Sequence, residues 1–176
     1  MLVKIKSVAN VGLETTAIEV EVDVASAGFP GFNIVGLASK AVEEARERVK
    51  TAIINSGFDF PAKKITVNLA PADIPKDGAA YDLPIAVGIL AASDIVASDK
   101  VTESIFYGEL SLDGSLRHTK GVLLVGLYAK NNAIYVPIES ANEAAVVDNV
   151  TVYPVRNLRE LVDHFQDIKK IEPLKH

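Results

Sequence analysis

The chain has 176 residues, 49% of them hydrophobic and 23% charged, with a net charge of −5 and no cysteine. This length and apolar content fit one domain around one core. The lack of cysteine excludes disulfides and thiolate metal sites, no basic half or tail offers itself to phosphates, and no stretch approaches the roughly 20 apolar residues of a membrane span. Aromatics are sparse at 6%, with no tryptophan. Ala, Val, Ile and Leu must therefore pack the core, in an α/β style. The N-terminus alternates charged and apolar residues (Lys4, Lys6, Glu14, Glu19, Glu21, Asp23) and lacks a signal-peptide core, so a cytoplasmic location is expected.

In chain order, alternation predicts strands at about 2–9 and through Ala17–Val24, with Val11-Gly12-Leu13-Glu14 as a hairpin. Gly28-Phe29-Pro30-Gly31 reads as a turn and Phe32–Val35 as a short strand. Helical spacing of Ala41, Val42, Ala45, Val49, Ala52 and Ile53 predicts a helix over 39–56, with Ser39 as its cap and Gly57 as its stop. Lys64–Leu69 is a strand. Asp82 is expected to cap a helix running to about Ala92, where Pro84 is tolerated in the first turn. Ser104–Leu110 reads as one strand, with Asp113-Gly114 turning into Ser115–Arg117. Helices at 121–131, 139–146 and 157–165 alternate with strands at 134–136 and 150–155. Intermingled elements mean an α/β or α+β fold. The domain is expected over 1–167, and 168–176 reads as a linker or tail.

Two blocks carry the chemistry. Asn68–Pro84 contains Pro75-Lys76-Asp77-Gly78-Ala79-Ala80, and Gly108–Arg117 reads Gly-Glu-Leu-Ser-Leu-Asp-Gly-Ser-Leu-Arg. Together they resemble the active-site segments of the Lon protease domain. Pro75, Lys76, Asp77 and Gly78 match its serine loop, but the serine position is Ala80. Gly108, Glu109, Leu112, Gly114 and Gly121 match its lysine segment, but the lysine position is Leu123. A nucleophile needs a reactive heteroatom and a base needs a titratable group; alanine and leucine supply neither. Loss of a nucleophilic serine typically costs about six orders of magnitude in turnover. The resemblance implies a mixed sheet with packed helices, the fold shared with GHMP kinases and a small-subunit ribosomal protein.

A wider resemblance covers nearly the whole chain. Gly28–Leu37, Ala41–Val49 and Ile65–Asp73, in that order, are similar to the ComM/YifB family of magnesium-chelatase-like AAA+ ATPases. Ala38-Ser39 and His118-Thr119 depart from the usual family sequence at peripheral places. The resemblance implies a hexameric ATP-driven motor for DNA processing in natural transformation. The motor needs a Gly-x-x-x-x-Gly-Lys-Ser/Thr loop, and no Gly-Lys pair occurs in this chain. The expectation is a non-catalytic Lon-like domain serving assembly or DNA engagement, with an AAA+ module or hexamer neighbours as partners and no cofactor.

Three weaker sites are weighed beside it. The Lys76-Asp77-Gly78 loop before a helix could bind an anion, but Asp77 and Asp82 oppose it, and a degenerate loop kept for packing is favoured. Ser111 or Ser115 with Lys120 could rebuild a Ser/Lys peptidase dyad, yet a lysine base must be desolvated, and solvated hairpin serines are favoured. Arg46, Arg48, Lys50, Lys63 and Lys64 could form a DNA-facing patch, making the chain a nucleic-acid-binding module. Glu43, Glu44 and Glu47 interleave with them, and an ion-paired solvent face is the plainer reading. His118, His164 and His176 show no ligand spacing, so no metal is expected. Leu123, in an apolar run with Val122, Leu124 and Val125, is expected in the core.

Overall fold

The protein's structure is a computed structural model describing residues 1–76 and 78–175, and of Ser39 the backbone alone. The expected Asp77 and His176 therefore lie outside the described residues. The long N-terminal alternation folds as a hairpin of β1 (Leu2–Val11) and β2 (Glu14–Ala25), in full antiparallel register from Leu2–Asp23 to Val11–Glu14. β3 (Gly31–Val35) lies parallel to β4 (Lys64–Ala70), which pairs antiparallel with β2. β5 (Ile105–Phe106), β8 (Ala133–Pro137) and β9 (Thr151–Val155) extend the other side in parallel. The result is a seven-stranded mixed sheet in the order β3-β4-β2-β1-β5-β8-β9. Pro154 within β9 is tolerated because β9 is an edge strand, where a missing N–H breaks no ladder.

Two cores flank this sheet. On one side α2 (Asp82–Ala92) packs over β1 and β2, α1 (Ser39–Asn55) lies against α2 and β3, and α5 (Leu158–Phe165) lies against β9, with Ile5, Val20, Val22, Val67 and Leu69 buried in this core. On the other, α3 (Val122–Tyr128) and α4 (Ala141–Ala145) pack over β5, β8 and β9, with Val8, Val122, Val125, Ile134 and Val152 buried together. α2 is buried along its whole length, which accounts for a sequence apolar on every side. Gly88 lets it lie close on the sheet, since a Cβ there would run into the Val22 side chain.

Four expectations change. The N-cap of α1 is Ala38, not Ser39. Asp82 does not cap α2 but opens it, the cap position being Tyr81, because its carboxylate is taken by other partners. The predicted strand 104–110 breaks into β5 and a separate β6 (Glu109–Leu110), which pairs with β7 (Leu116–Arg117). Gly108 makes the break: its N–H donates to the Ala80 carbonyl (2.8 Å) and its carbonyl accepts from Leu83 N–H (3.0 Å), drawing the chain toward the entry of α2. Finally, the expected tail is laid back on the fold. Ile171 is buried, its N–H donates to His164 Nδ1 (2.9 Å), and Leu174 N–H donates to the Val152 carbonyl on the edge strand (2.8 Å). Covering an exposed sheet edge in this way removes a ready site for aberrant pairing.

Candidate functional site

Ala80 and Leu123, the two positions expected to stand where a Lon-type dyad would be, sit in different surroundings. Ala80 is 4% exposed and packs in the second core with Val8, Tyr107 and Val122. Leu123 is not in the core: it is 41% exposed on α3, because Val122 and Val125 already occupy the inward face of that short helix. The entry to α3 is held by polar contacts. Tyr107 Oη donates to the Lys120 carbonyl (2.8 Å), Asn10 Nδ2 donates to Tyr107 Oη and to the Gly121 carbonyl (both 3.4 Å), and Thr15 Oγ1 donates to Asn10 Oδ1 (3.0 Å). Gly121 has φ +92°, and a side chain there would strike the Asn10 amide.

Lys76 is turned inward. It is 8% exposed, and its Nζ donates to the Gly36 carbonyl at 3.2 Å. Burial lowers its pKa, with Asp73 acting the other way. A lysine committed to a backbone carbonyl is poorly placed to greet an anion in the loop. The hairpin serines are no better placed for catalysis. Ser115 Oγ donates to Asp113 Oδ1 at 2.6 Å, and that bond holds the Asp113 carboxyl below its usual pKa, making it a feeble base. Lys120 is exposed, which denies it the desolvation that a lysine base requires. His118 Nε2 faces Glu143 (3.2 Å), and among the described residues no group of three or more metal-binding side chains converges.

The five basic residues read from the sequence do not act as one patch. Arg48 turns into the protein, where Nε donates to Asp82 Oδ2 (2.7 Å) and Nη2 to Oδ1 (3.2 Å). Asp82 is 1% exposed and also accepts from the Leu110 N–H (3.1 Å). Burial pushes the Asp82 carboxyl up to about 6, while the Arg48 fork and the Leu110 amide pull it down. This clamp ties α1, α2 and β6 together. Arg46 Nη1 donates to the Phe32 carbonyl (3.1 Å). Lys50 and Lys63 instead line an open cleft, and Lys64 is exposed beside them in the chain.

The sequence reading missed the aromatic side of that cleft. α1 ends at Gly57 (φ +91°), whose N–H returns to the Ile54 carbonyl while the Phe58 N–H returns to Ile53 (3.2 Å). This is a Schellman end, and it delivers Phe58 and Phe60 to the cleft. Phe60 meets Phe32 with ring centroids 5.4 Å apart, and Lys50 Nζ lies 5.5 Å from the Phe60 centroid. The Arg159 guanidinium covers Phe58 at 5.2 Å. A signal existed in the sequence: four of only six phenylalanines fall at 29, 32, 58 and 60, in two short runs flanked by glycine or proline.

Comparison with known proteins adds the lineage. Residues 20–140 match the family model described as subunit ChlI of Mg-chelatase. The chain belongs to this Mg-chelatase-like family. It is 41% identical over 165 residues to the competence protein ComM of Haemophilus influenzae, covering 93% of this chain and 32% of that protein. It is 46% identical over 138 residues to the uncharacterized protein YifB of Escherichia coli, covering 78% of this chain and 27% of the relative. YifB of Salmonella typhimurium is 41% identical over 170 residues, 96% of this chain and 32% of the relative. The chain thus spans about a third of the length of these curated relatives, which support the ComM/YifB grouping within the family. Among the described residues no helix is long and apolar enough to cross a membrane.

Proposed function

We propose that this chain is a non-catalytic Lon-like domain of a ComM/YifB-type AAA+ ATPase, acting in the cytoplasm in assembly or DNA engagement for an ATP-driven motor outside these residues. The observation that carries it is the pair Ala80 and Leu123. One is a methyl group inside the core and the other an exposed aliphatic chain, so neither a nucleophile nor a base stands where Lon-type chemistry would need them. The engaged Ser115, the exposed Lys120 and the inward Lys76 offer no substitute. Likeness to a competence protein supports the DNA side of the reading.

The chain should not turn over casein or a fluorogenic peptide, and a fluorophosphonate serine probe should leave it unlabelled. Cleavage that disappears in Ser111→Ala or Ser115→Ala would replace this reading with a Ser/Lys peptidase.

A further inference from the structure

The cleft between the start of β3, the end of α1 and the segment leading into β4 has a volume of about 660 Å³. Phe32, Ile54, Phe58 and Phe60 give it apolar walls, and Lys50 and Lys63 stand at its rim. Phe29, next in the chain to the lining Pro30, is 92% exposed. An exposed phenylalanine gains nothing for the fold, and an acidic chain of net charge −5 has set Lys50, Lys63 and Arg159 at these rings, with Asp59 as the acid in the lining. Apolar walls alone would suit many ligands. Flat aromatic surfaces interleaved with cations suit a ligand that alternates planar π-faces with anionic groups, and a single-stranded nucleic acid is such a ligand. In a duplex the base faces are stacked away, and only phosphates, sugars and base edges are offered.

We propose that this cleft binds single-stranded nucleic acid, with bases stacking on Phe29 and Phe60 and phosphates meeting Lys50 and Lys63. The proposal rests on the DNA-engagement side of the function proposed above and names its site. The chemistry is shared by DNA and RNA, so labelled oligo(dT) and oligo(U) are titrated in parallel, by fluorescence anisotropy with the whole chain across a salt series. The expected result is binding at low salt that weakens as salt rises. Lys50→Ala with Lys63→Ala should lower the salt slope by about 1.4, the share of two phosphates on a single strand. Phe29→Ala should weaken binding about tenfold, the loss of one stacked base, with the slope unchanged. Thermal midpoints of these variants should match the parent, since the side chains are at the surface, and Lys130→Ala, an exposed cation elsewhere, should bind as the parent does.

Equal affinity for a blunt duplex of the same length would overturn the stacking site. Binding indifferent to all three cleft substitutions would also overturn it, leaving DNA engagement standing at another place on the domain. No binding of either oligonucleotide at the lowest salt would remove both the cleft and DNA engagement, and the domain's role would then be assembly. None of these outcomes bears on whether the chain cleaves peptides.

Discussion

Arg48 and Lys50 lie two residues apart on α1 and serve opposite ends. Arg48 lies largely under the surface, forked onto a carboxylate with no access to water, and joins two helices. Lys50 stands at the rim of an open cleft beside a phenylalanine ring. Both are cations on one helix within a Glu-Arg-Val-Lys run, so charge pattern alone could not separate them. The partner separates them. A guanidinium can satisfy both oxygens of a buried carboxylate, which a point-like ammonium cannot. Local charge density is therefore a poor guide to a binding face until the inward-turned members have been removed from it.

The sharpest way to break this contrast is to truncate each cation. Arg48→Ala leaves the Asp82 carboxylate buried without its counter-charge, and breaking such a pair costs about 3 kcal/mol or more. Lys50→Ala should stay within about 0.5 kcal/mol, as surface substitutions do. Urea unfolding at pH 7.5 measures both, and equal midpoint shifts would dissolve the distinction. The Arg48→Ala cost should also shrink toward pH 5. The folded-state pKa of Asp82, about 6, lies above the value near 4 of an unfolded aspartate, so acid lets the folded protein neutralise the carboxyl first. For the same reason the contribution of Asp82 itself falls as pH rises from about 4 to 6 and is level above that.

The same buried-versus-exposed contrast recurs at Ala80 and Leu123. Ala80→Ser places a hydroxyl in an apolar core and should cost about 1–2 kcal/mol. Leu123→Lys replaces an exposed side chain and should cost less than about 0.5 kcal/mol. The double variant should show no peptidase activity. If Leu123→Lys proved the costlier change, α3 would have to be covered in solution. Cleavage by the double variant would mean that positions 80 and 123 hold a working dyad geometry.

The smallest effect concerns His164. Its Nδ1 accepts from Ile171 N–H, so in the neutral ring Nε2–H donates to Tyr135 Oη (2.9 Å). Burial lowers its pKa, Lys170 and Lys100 act the same way, and Asp167 and Glu160 oppose them. A depressed folded pKa means stability that is present above about 6.5 and lost as pH falls through the folded value. Amide exchange at Ile171 should therefore accelerate in acid ahead of the sheet, and His164→Gln should flatten that response. Uniform exchange across tail and sheet would refute a local anchor.

Much of the fold was legible. Alternation along 2–25 set the hairpin and its faces, and α1 carried a clear 3.6 spacing that stopped at Gly57. The strand predicted over 104–110 failed because alternation continues through Gly108 while the hydrogen bonds do not; those go to Ala80 and Leu83, some 25 residues back in the chain. The tail looked like a linker because its anchoring residues, the buried Ile171 and the half-buried Leu174, are scattered apolar residues in a charged run. Of the basic residues read as one patch, two kept a place at the cleft rim and Arg48 did not.

Residue identity by itself determined what two positions can supply. Ala80 and Leu123 cannot attack or deprotonate whatever surrounds them, and a chain without a Gly-Lys pair has no phosphate loop of that type. Tertiary structure alone decided where the remaining polar groups spend themselves. Lys76, Arg48 and Asp82 are turned inward, while Lys50, Lys63 and Phe29 are left at the surface. That choice depends on which distant carbonyl, carboxylate or ring lies within about 3 to 5 Å, and contacts of that range between residues tens of positions apart leave no periodic trace in a sequence.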